Sequence, residues 1–474
     1  MNKFFWIAVL FCGLMSAQPK KWTLEECIQH AYKHNISIRQ TELDIRSSEV
    51  EKQAAIGNFL PGINANATHS WNIGLNQNIT TGLLENQTVQ FTSAGVNMGV
   101  VIYNGLQNQN RLRRANLAIV AAKYQLDKMR DDISLNVANA FLQILFNKEN
   151  LKVQKEQLAQ NLLQEERTRE LVNAGNVPRG DLLDINATVA GSRRAVVDAE
   201  NALLISRLSL AQLLQIEDFQ NFDIADRDYE AESSAVMMQT ADSIYKKAKD
   251  FRVEIKLARA NLDVAERDVR IAKGAFQPSL QGFYSMTTRA AYADRVVNFV
   301  PDPFNPFNVI GIVEGTGQNV LQPNFIPILG KPDAVFNQFD RNKGHSFGLQ
   351  LNIPILNGLS ARTAVDRAKI ALERSKIAMD QTELDLERNV YTAFTDANGA
   401  LNAYEAAGVA LAAREEAFKY AKERFDVGLM NSFDYNQAQL LYTTAQSDLL
   451  RAKYDYIFRV KVVELYFGIP ITLN

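Results

Sequence analysis

The chain writes one design twice, and a chain built from two similar halves is committed to a pseudo-symmetric architecture. Ala55, Gly57, Phe59 and Pro61 return as Ala272, Gly274, Phe276 and Pro278, 217 positions on. Tyr103-Asn104-Gly105-Leu106 returns as Leu356-Asn357-Gly358-Leu359, and Asn173-Ala174-Gly175 as Asp426-Val427-Gly428, both 253 positions on. The offset grows by 36, so the second copy holds one insertion between Pro278 and Leu356. A repeat this long is no short-period solenoid. Two halves packed about a pseudo-symmetry suit a wall or a tube better than a catalytic cleft.

Residues 1–17 read as a secretory signal: Lys3 gives the positive start, Phe4 to Met15 the apolar stretch, Ser16-Ala17 the small-residue exit. The stretch falls short of the roughly 20 apolar residues of a spanning helix. Cys12 raises a lipid-modified N-terminus as an alternative, and the bulky Phe11 before it argues against that. Beyond the signal Cys27 is the only cysteine, so no intramolecular disulfide is expected. A formal net charge of −2 with both signs interspersed gives no reason to expect a nucleic-acid partner. No later segment is apolar enough for a transmembrane helix, so a membrane passage would have to be made of strands.

Six of the twelve prolines lie between Pro301 and Pro332, while 62–177, 179–277 and 355–469 contain none. Proline-free stretches permit long helices, and the cluster predicts an irregular surface loop within the insertion. A period of 3.5 runs through Leu182, Ile185, Val189, Ser192, Val196, Ala199, Leu203, Ser206, Leu210 and Leu213. Its counterpart is Tyr435, Ala438, Tyr442, Ala445, Leu449, Ala452, Tyr456, Arg459, Val463 and Tyr466. Two further seams are Ile255, Ala258, Leu262, Ala265, Val269 and Ala272, and Ala364, Ala368, Ala371, Ser375 and Ala378. Such a repeat indicates helices lying nearly parallel, knobs into holes.

The expected order is a first repeat over 18–216: a lead-in helix, a β-hairpin over 61–103, a long helix over 106–172 and a returning helix over 178–216. A linker over 217–238 follows. The second repeat, 239–474, has a lead-in helix over 239–273, a hairpin over 278–356 with an inserted loop at 294–343, a long helix over 358–426 and a returning helix over 431–467. Each long helix would extend on the order of 100 Å at ~1.5 Å per residue.

Ala94, Val96, Met98, Val100 and Ile102 alternate with small or polar residues, as do Phe347, Leu349, Leu351, Ile353 and Ile355. Their expected partners, near Gly62–Asn72 and Ser279–Thr288, contain no Lys, Arg, Asp or Glu. One apolar and one polar face is the pattern of a barrel strand between lipid and water. A soluble hairpin with one face on a core would show the same alternation.

These features together resemble the TolC family of outer-membrane efflux proteins, across essentially all of the mature sequence. The carriers are WTLEECIQHAYKHN, with Leu24, Ala31 and Asn35; Pro61 opening the first strand; and the corners Asn104-Gly105 and Asn357-Gly358. The strongest are Gly175 followed six residues later by Asp181, and Gly428 followed by Asp434. The resemblance implies a mainly α fold with a small β part: long coiled-coil hairpins plus two β-hairpins per protomer. It implies a homotrimer with a twelve-stranded barrel in outer-membrane lipid and an α-helical tunnel in the periplasm of a Gram-negative bacterium. It also implies passive conduction, with an inner-membrane pump of RND or ABC type and a periplasmic adaptor as partners. Elementary physics agrees that four strands cannot close alone in lipid, and leaves a dimer open. The outer-membrane component of a type I secretion system is one alternative; a non-conducting exported helical scaffold, from another class, is a second.

By the same resemblance Gly175, Asn176, Val177, Pro178, Gly428, Leu429, Met430, Asn431 and Ser432 form the periplasmic tip where the adaptor docks. Asp181, Asp434 and Arg424 are the gate candidates. A plainer reading makes the glycines helix C-caps and the acids ordinary first-turn residues. Met430 and Gln437 are uncharged where some relatives place charge, which puts a salt-bridge lock at those positions in doubt. Arg424 suits either last-turn carbonyls or an adaptor group. Cys27, His30 and His34 form C-x2-H-x3-H; a metal would need a fourth ligand, and the same spacing is common on helix surfaces. No catalytic constellation appears among the four histidines, His30, His34, His69 and His345, and no cofactor is expected. Gly315-Thr316-Gly317 has no following helix, so it does not read as a phosphate loop. Phe299, Phe304, Phe307, Phe325, Phe336 and Phe339 of the insertion would cover a pore mouth or pack the loop.

Overall fold

The computed structural model describes residues 21–78, 80, 82–226, 229 and 234–472. The expected signal at 1–17 and Cys12 lie outside them. In chain order the elements are β1 (Lys21–Trp22), α1 (Leu24–His34), α2 (Ile36–Gly57), β2 (Gly62–Gln77), β3 (Leu84–Asn104), α3 (Gln107–Asn173), α4 (Arg179–Leu214) and β4 (Asp223–Ile224). A 3-10 turn at Ala235–Met238 leads into α5 (Ala241–Phe251), α6 (Val253–Gly274) and β5 (Ser279–Ala291). The insertion holds β6 (Arg295–Pro301), β7 (Phe307–Ile312), β8 (Asn319–Pro323), β9 (Phe325–Gly330) and α7 (Val335–Arg341). β10 (Gly344–Asn352), α8 (Ser360–Asp426) and α9 (Ser432–Phe467) complete the chain.

The copies match helix for helix. α1 and α5 have 11 residues, α2 and α6 22, α3 and α8 67, α4 and α9 36. Each lead-in helix, expected to be continuous, is broken at one extended residue: Asn35 (φ −61, ψ 131) and Arg252 (φ −60, ψ 137). Asn35 holds its break by accepting from the Ser37 N–H at 2.9 Å and donating from Nδ2 to the Leu213 carbonyl at 2.9 Å. Arg252 does the same work with charge. Only 5% exposed, it donates to Glu254, pairs with Asp131 at 3.1 Å and lies over the Tyr466 ring. Leu213 and Tyr466 are counterparts in the duplication, so one contact is made with two chemistries.

The chain divides into two compact units. Among the described residues, those within 21–50, 115–266 and 370–472 form the helical one. Its main core gathers Ile38, Phe141, Ile144, Leu210, Leu214 and Ile224, all fully buried, and a smaller cluster gathers Ile244, Val390 and Val463. Burying side chains of this size stabilises by about 1.5–3 kcal/mol each. The expected linker over 217–238 is tied down: β4 pairs in parallel with β1, and Lys148 bridges Asp223 at 2.7 Å. The α4 seam is observed, with Ile185, Val189, Val196, Ala199, Leu203, Ser206 and Leu210 buried. On α9 Tyr435, Tyr456 and Val463 of the expected seam are buried, while Gln439 and Thr443 are buried in place of Ala438 and Tyr442. On α8 the buried residues are Ala361, Val365, Leu386, Val390, Ala397, Ala400 and Ala421, while Ala364, Ala371 and Ala378 face outward in the single chain.

Glu51–Arg114 and Arg267–Lys369 form the sheet unit. Four antiparallel strands run in the order β10-β5-β3-β2, leaving β10 and β2 as edges. Register aligns the row Ile63, Met98, Tyr284 and Phe347, and beside it the row Asn64, Asn97, Ser285 and Ser346. In these rows one face is apolar and the other polar, as side-chain alternation allows, with Phe91 and Phe283 interrupting the polar face and His69 and Thr92 the apolar one. On the polar face Asn97 donates to Asn66 at 3.2 Å and accepts from Ser285 at 2.7 Å.

Two expectations for this unit are corrected. The insertion is not irregular: β6 pairs with β9 and β7 with β8, and α7 lies against β5. Proline is tolerated there because these are isolated two-stranded ladders whose outer edges need no donor. Gln338 of α7 closes the end of β5, accepting from the Ala291 N–H at 2.9 Å and donating to its carbonyl at 3.0 Å. The last strand ends at Asn352, before Ile353 and Ile355, where Pro354 lacks the N–H a ladder needs. Among the described residues no helix is long and apolar enough to cross a membrane.

Candidate functional site

The two turns between long and returning helices share one geometry. Asn176 N–H bonds the Leu171 carbonyl at 2.9 Å and Gly175 N–H the Val172 carbonyl at 3.0 Å. In the second copy Leu429 bonds Arg424 at 2.8 Å and Gly428 bonds Phe425 at 3.0 Å. This double closure needs a left-handed residue, and Gly175 (φ +75) and Gly428 (φ +77) supply it. α4 then starts at Pro178 with no side-chain cap. α9 starts at Asn431, whose Oδ1 accepts from the Asp434 N–H at 2.8 Å while its Nδ2 donates to Asp434 Oδ2 at 2.9 Å. Arg424 donates to the Leu429 carbonyl at 3.4 Å, in the turn just beyond its own helix. Asp181 is half-buried at the start of α4, and no contact brings it to Asp434 or Arg424 among the described residues.

The sequence reading missed the ion pair that joins the copies here. Arg167 of α3 donates to Asp426, the last residue of α8. Tyr435 stacks on Phe425 at 4.6 Å beside it. Burial first, and the Asp426 charge next, push the Tyr435 phenol above its ordinary range, with Arg167 opposing them. Val427, Leu429 and Phe433 stay exposed around the second turn, Phe433 by 73%.

A polar ladder runs on from the turns between α3, α4 and α9. Thr443 donates to Gln157 at 2.5 Å, Gln157 to Asn161 at 3.3 Å, and Asn161 to Ser192 at 2.6 Å. Ser447 donates to Asn150 at 3.0 Å. Asn161 is 1% exposed and Gln439 2%, so the interface is closed although its contacts are polar. Beside the ladder lies a groove of 440 Å³ lined by Gln154, Asp184, Thr188, Phe433, Asn436 and Gln437. Such an interface parts more cheaply than an apolar one, because water replaces its hydrogen bonds.

Cys27, His30 and His34 share α1 without converging. Cys27 is fully buried, and His30 and His34 stack at 4.2 Å. Among the described residues no three His, Cys, Asp or Glu side chains are grouped to hold a metal. The strand histidines bond hydroxyls of the sheet: His69 to Thr92 at 2.7 Å, His345 to Tyr284 at 2.8 Å.

The family model described as outer membrane efflux protein matches residues 27–214 and 244–462, one stretch in each copy. The outer membrane protein TolC of Vibrio cholerae serotype O1 is 21% identical over 391 residues, 81% of this chain and 79% of that protein. The pyoverdine export outer membrane protein OpmQ of Pseudomonas aeruginosa is 24% identical over 308 residues, 64% of this chain and 61% of OpmQ. Among solved structures, the outer membrane protein VceC of Vibrio cholerae is similar with a TM-score of 0.72 at 14% identity, covering 95% of this chain and 97% of VceC. The CmeC outer membrane channel of Campylobacter jejuni gives 0.70 at 16% identity, covering 94% and 85%.

Proposed function

The chain belongs to the outer membrane efflux protein family, and from that premise we propose that its sheet is one third of a closed barrel and its helix turns a gated docking end. It is an outer-membrane efflux channel of a Gram-negative bacterium, with its helical part in the periplasm. Members of this family are channels, not enzymes.

The observation that carries the oligomeric reading is the two-faced sheet with open edges. Rows such as Ile63, Met98, Tyr284 and Phe347 suit lipid, and rows such as Asn64, Asn97, Ser285 and Ser346 suit water. Unpaired edges at β10 and β2 are not tolerated in hydrocarbon. Three copies, each setting β10 beside its neighbour's β2, make a twelve-stranded barrel without edges. Chain counting by light scattering in detergent tests this: three chains per particle are expected, and one would overturn it.

The turns at 173–178 and 428–432 dock a periplasmic adaptor that couples the duct to an inner-membrane pump of RND or ABC type. Exposed Val427, Leu429 and Phe433 support the docking reading. Arg167 and Asp426 hold the closed state, and the polar ladder is the seam that slides. Asp434 and Arg424 brace the turn itself, and Asp181 stands at the start of its partner helix. Cysteine cross-linking between Leu429→Cys and the adaptor tests the docking reading; protection of Leu429 by no periplasmic protein would count against it.

A further inference from the structure

The four strands of the sheet carry only two ionisable acids or bases besides histidine, Glu85 and Arg289. The register sets Arg289 opposite Ser93, which lies opposite Thr68. That row continues the polar face, so Arg289 points where water would run. Glu85 shares the face but pairs with Asn76, eight residues along β3 from Ser93, about 27 Å at strand rise. It also accepts a bond from Asn78 at 2.9 Å. Arg289 has no such acidic counterweight: no carboxylate lies within ion-pair distance of it among the described residues. What holds it is the ring of Phe91, 3.8 Å below the guanidinium carbon. Stacking covers one face of the guanidinium and leaves its in-plane N–H donors free at the edge, the geometry in which arginine takes carboxylate, sulfonate or phosphate oxygens.

We propose that Arg289 is a charge filter of the lumen, one guanidinium per copy on a polar wall whose other charged side chain, Glu85, lies about 27 Å along the strand, favouring anionic solutes. The inference rests on the barrel reading above, in which symmetry turns one arginine into a ring. Rings of like charge set ion preference in pores by the local potential they create. The Phe91 platform extends the preference to planar organic anions, which would contact ring and guanidinium together.

Reversal potentials across planar bilayers under a potassium chloride gradient test it, with Arg167→Ala present throughout to hold the duct open. Arg289→Gln should lower the chloride-to-potassium permeability ratio at least about threefold, the worth of one kT of local potential. Arg289→Glu should lower it further, and Arg289→Lys should keep the original preference. Reversal potentials indistinguishable between Arg289 and Gln, or a Lys variant that loses as much as Gln, would overturn the filter while leaving the duct intact. A complete lack of conductance in every variant removes the duct reading and this inference with it.

Discussion

Arg167 and Asp426 form an ion pair between the long helices of the two copies, one near the end of α3 and the other ending α8. Both side chains are about half exposed, so the pair stabilises the fold by only ~0–1 kcal/mol. Its proposed role is positional. Arg167→Ala and Asp426→Ala should each leave the melting temperature almost unchanged and raise the fraction of time the channel is open. Exchanging the charges, Arg167→Asp with Asp426→Arg, should restore closure. An exchange as leaky as the single variants would remove the pair from the gate.

The polar ladder predicts a trade between stability and opening. Gln439 donates to Gln160 at 3.4 Å, and replacing both by Leu exchanges a polar contact for an apolar one at nearly constant volume, which is close to neutral or stabilising. The expected outcome is a melting temperature that holds or rises, with fewer openings. Asn161→Ala should act oppositely, since its buried partners lose bonds at about 1–3 kcal/mol. Calorimetry beside channel recording separates the two effects.

Charge at the Arg252 break predicts an acid limit. Burial works against ionisation of Glu254, yet the Arg252 bond holds its carboxyl below the ordinary value of 4.5. Glu254 thus contributes stability that is present above pH 4.5 and lost as pH falls through its lowered folded value. Asp131 goes the other way: burial raises it, so the folded state takes up that proton first and gains from it. Melting should hold from pH 7 down to about 4.5 and then fall. Glu254→Gln should lower stability at pH 7 by about 1–3 kcal/mol and close the gap to wild type in acid. A gap constant with pH would contradict this.

Two left-handed glycines should respond differently to a methyl group. At Gly175 a Cβ meets nothing within 4 Å, so Gly175→Ala costs only the backbone term, about 1–2 kcal/mol. At Gly105 (φ +68) the Cβ would lie 2.3 Å from the Gly274 carbonyl oxygen. Gly105→Ala should cost a further 1–3 kcal/mol or so. Equal losses in denaturant melts would show that the corner between β3 and α3 is looser than described.

Much of this architecture was legible because glycine, proline and apolar period mark helix ends and buried faces directly. The turns at Gly175 and Gly428 and the α4 seam fall where expected. On α9 the expected Tyr435, Tyr456 and Val463 are buried, but between them apolar periodicity favours Ala438 and Tyr442, while the chain buries Gln439 and Thr443 against glutamines of α3. Hydrophobic pattern is blind to a polar seam. Clustered prolines suggested an irregular insertion, yet two short hairpins absorb them at edges. Arg167 and Asp426 lie 259 residues apart, and no local signal links them. Arg289 escaped notice because the charge-free stretch was read only as far as Thr288, three residues before the end of the strand. The Asn431–Asp434 cap had a local signature, Asn three residues before Asp, that the gate reading passed over.

Single-channel recording of the purified, detergent-extracted protein carrying Arg167→Ala and Asp426→Ala is the most direct test of a shared aqueous passage. Discrete, long-lived conductance steps from particles containing three chains are predicted. Intact three-chain particles that insert into the bilayer and pass no current would contradict it.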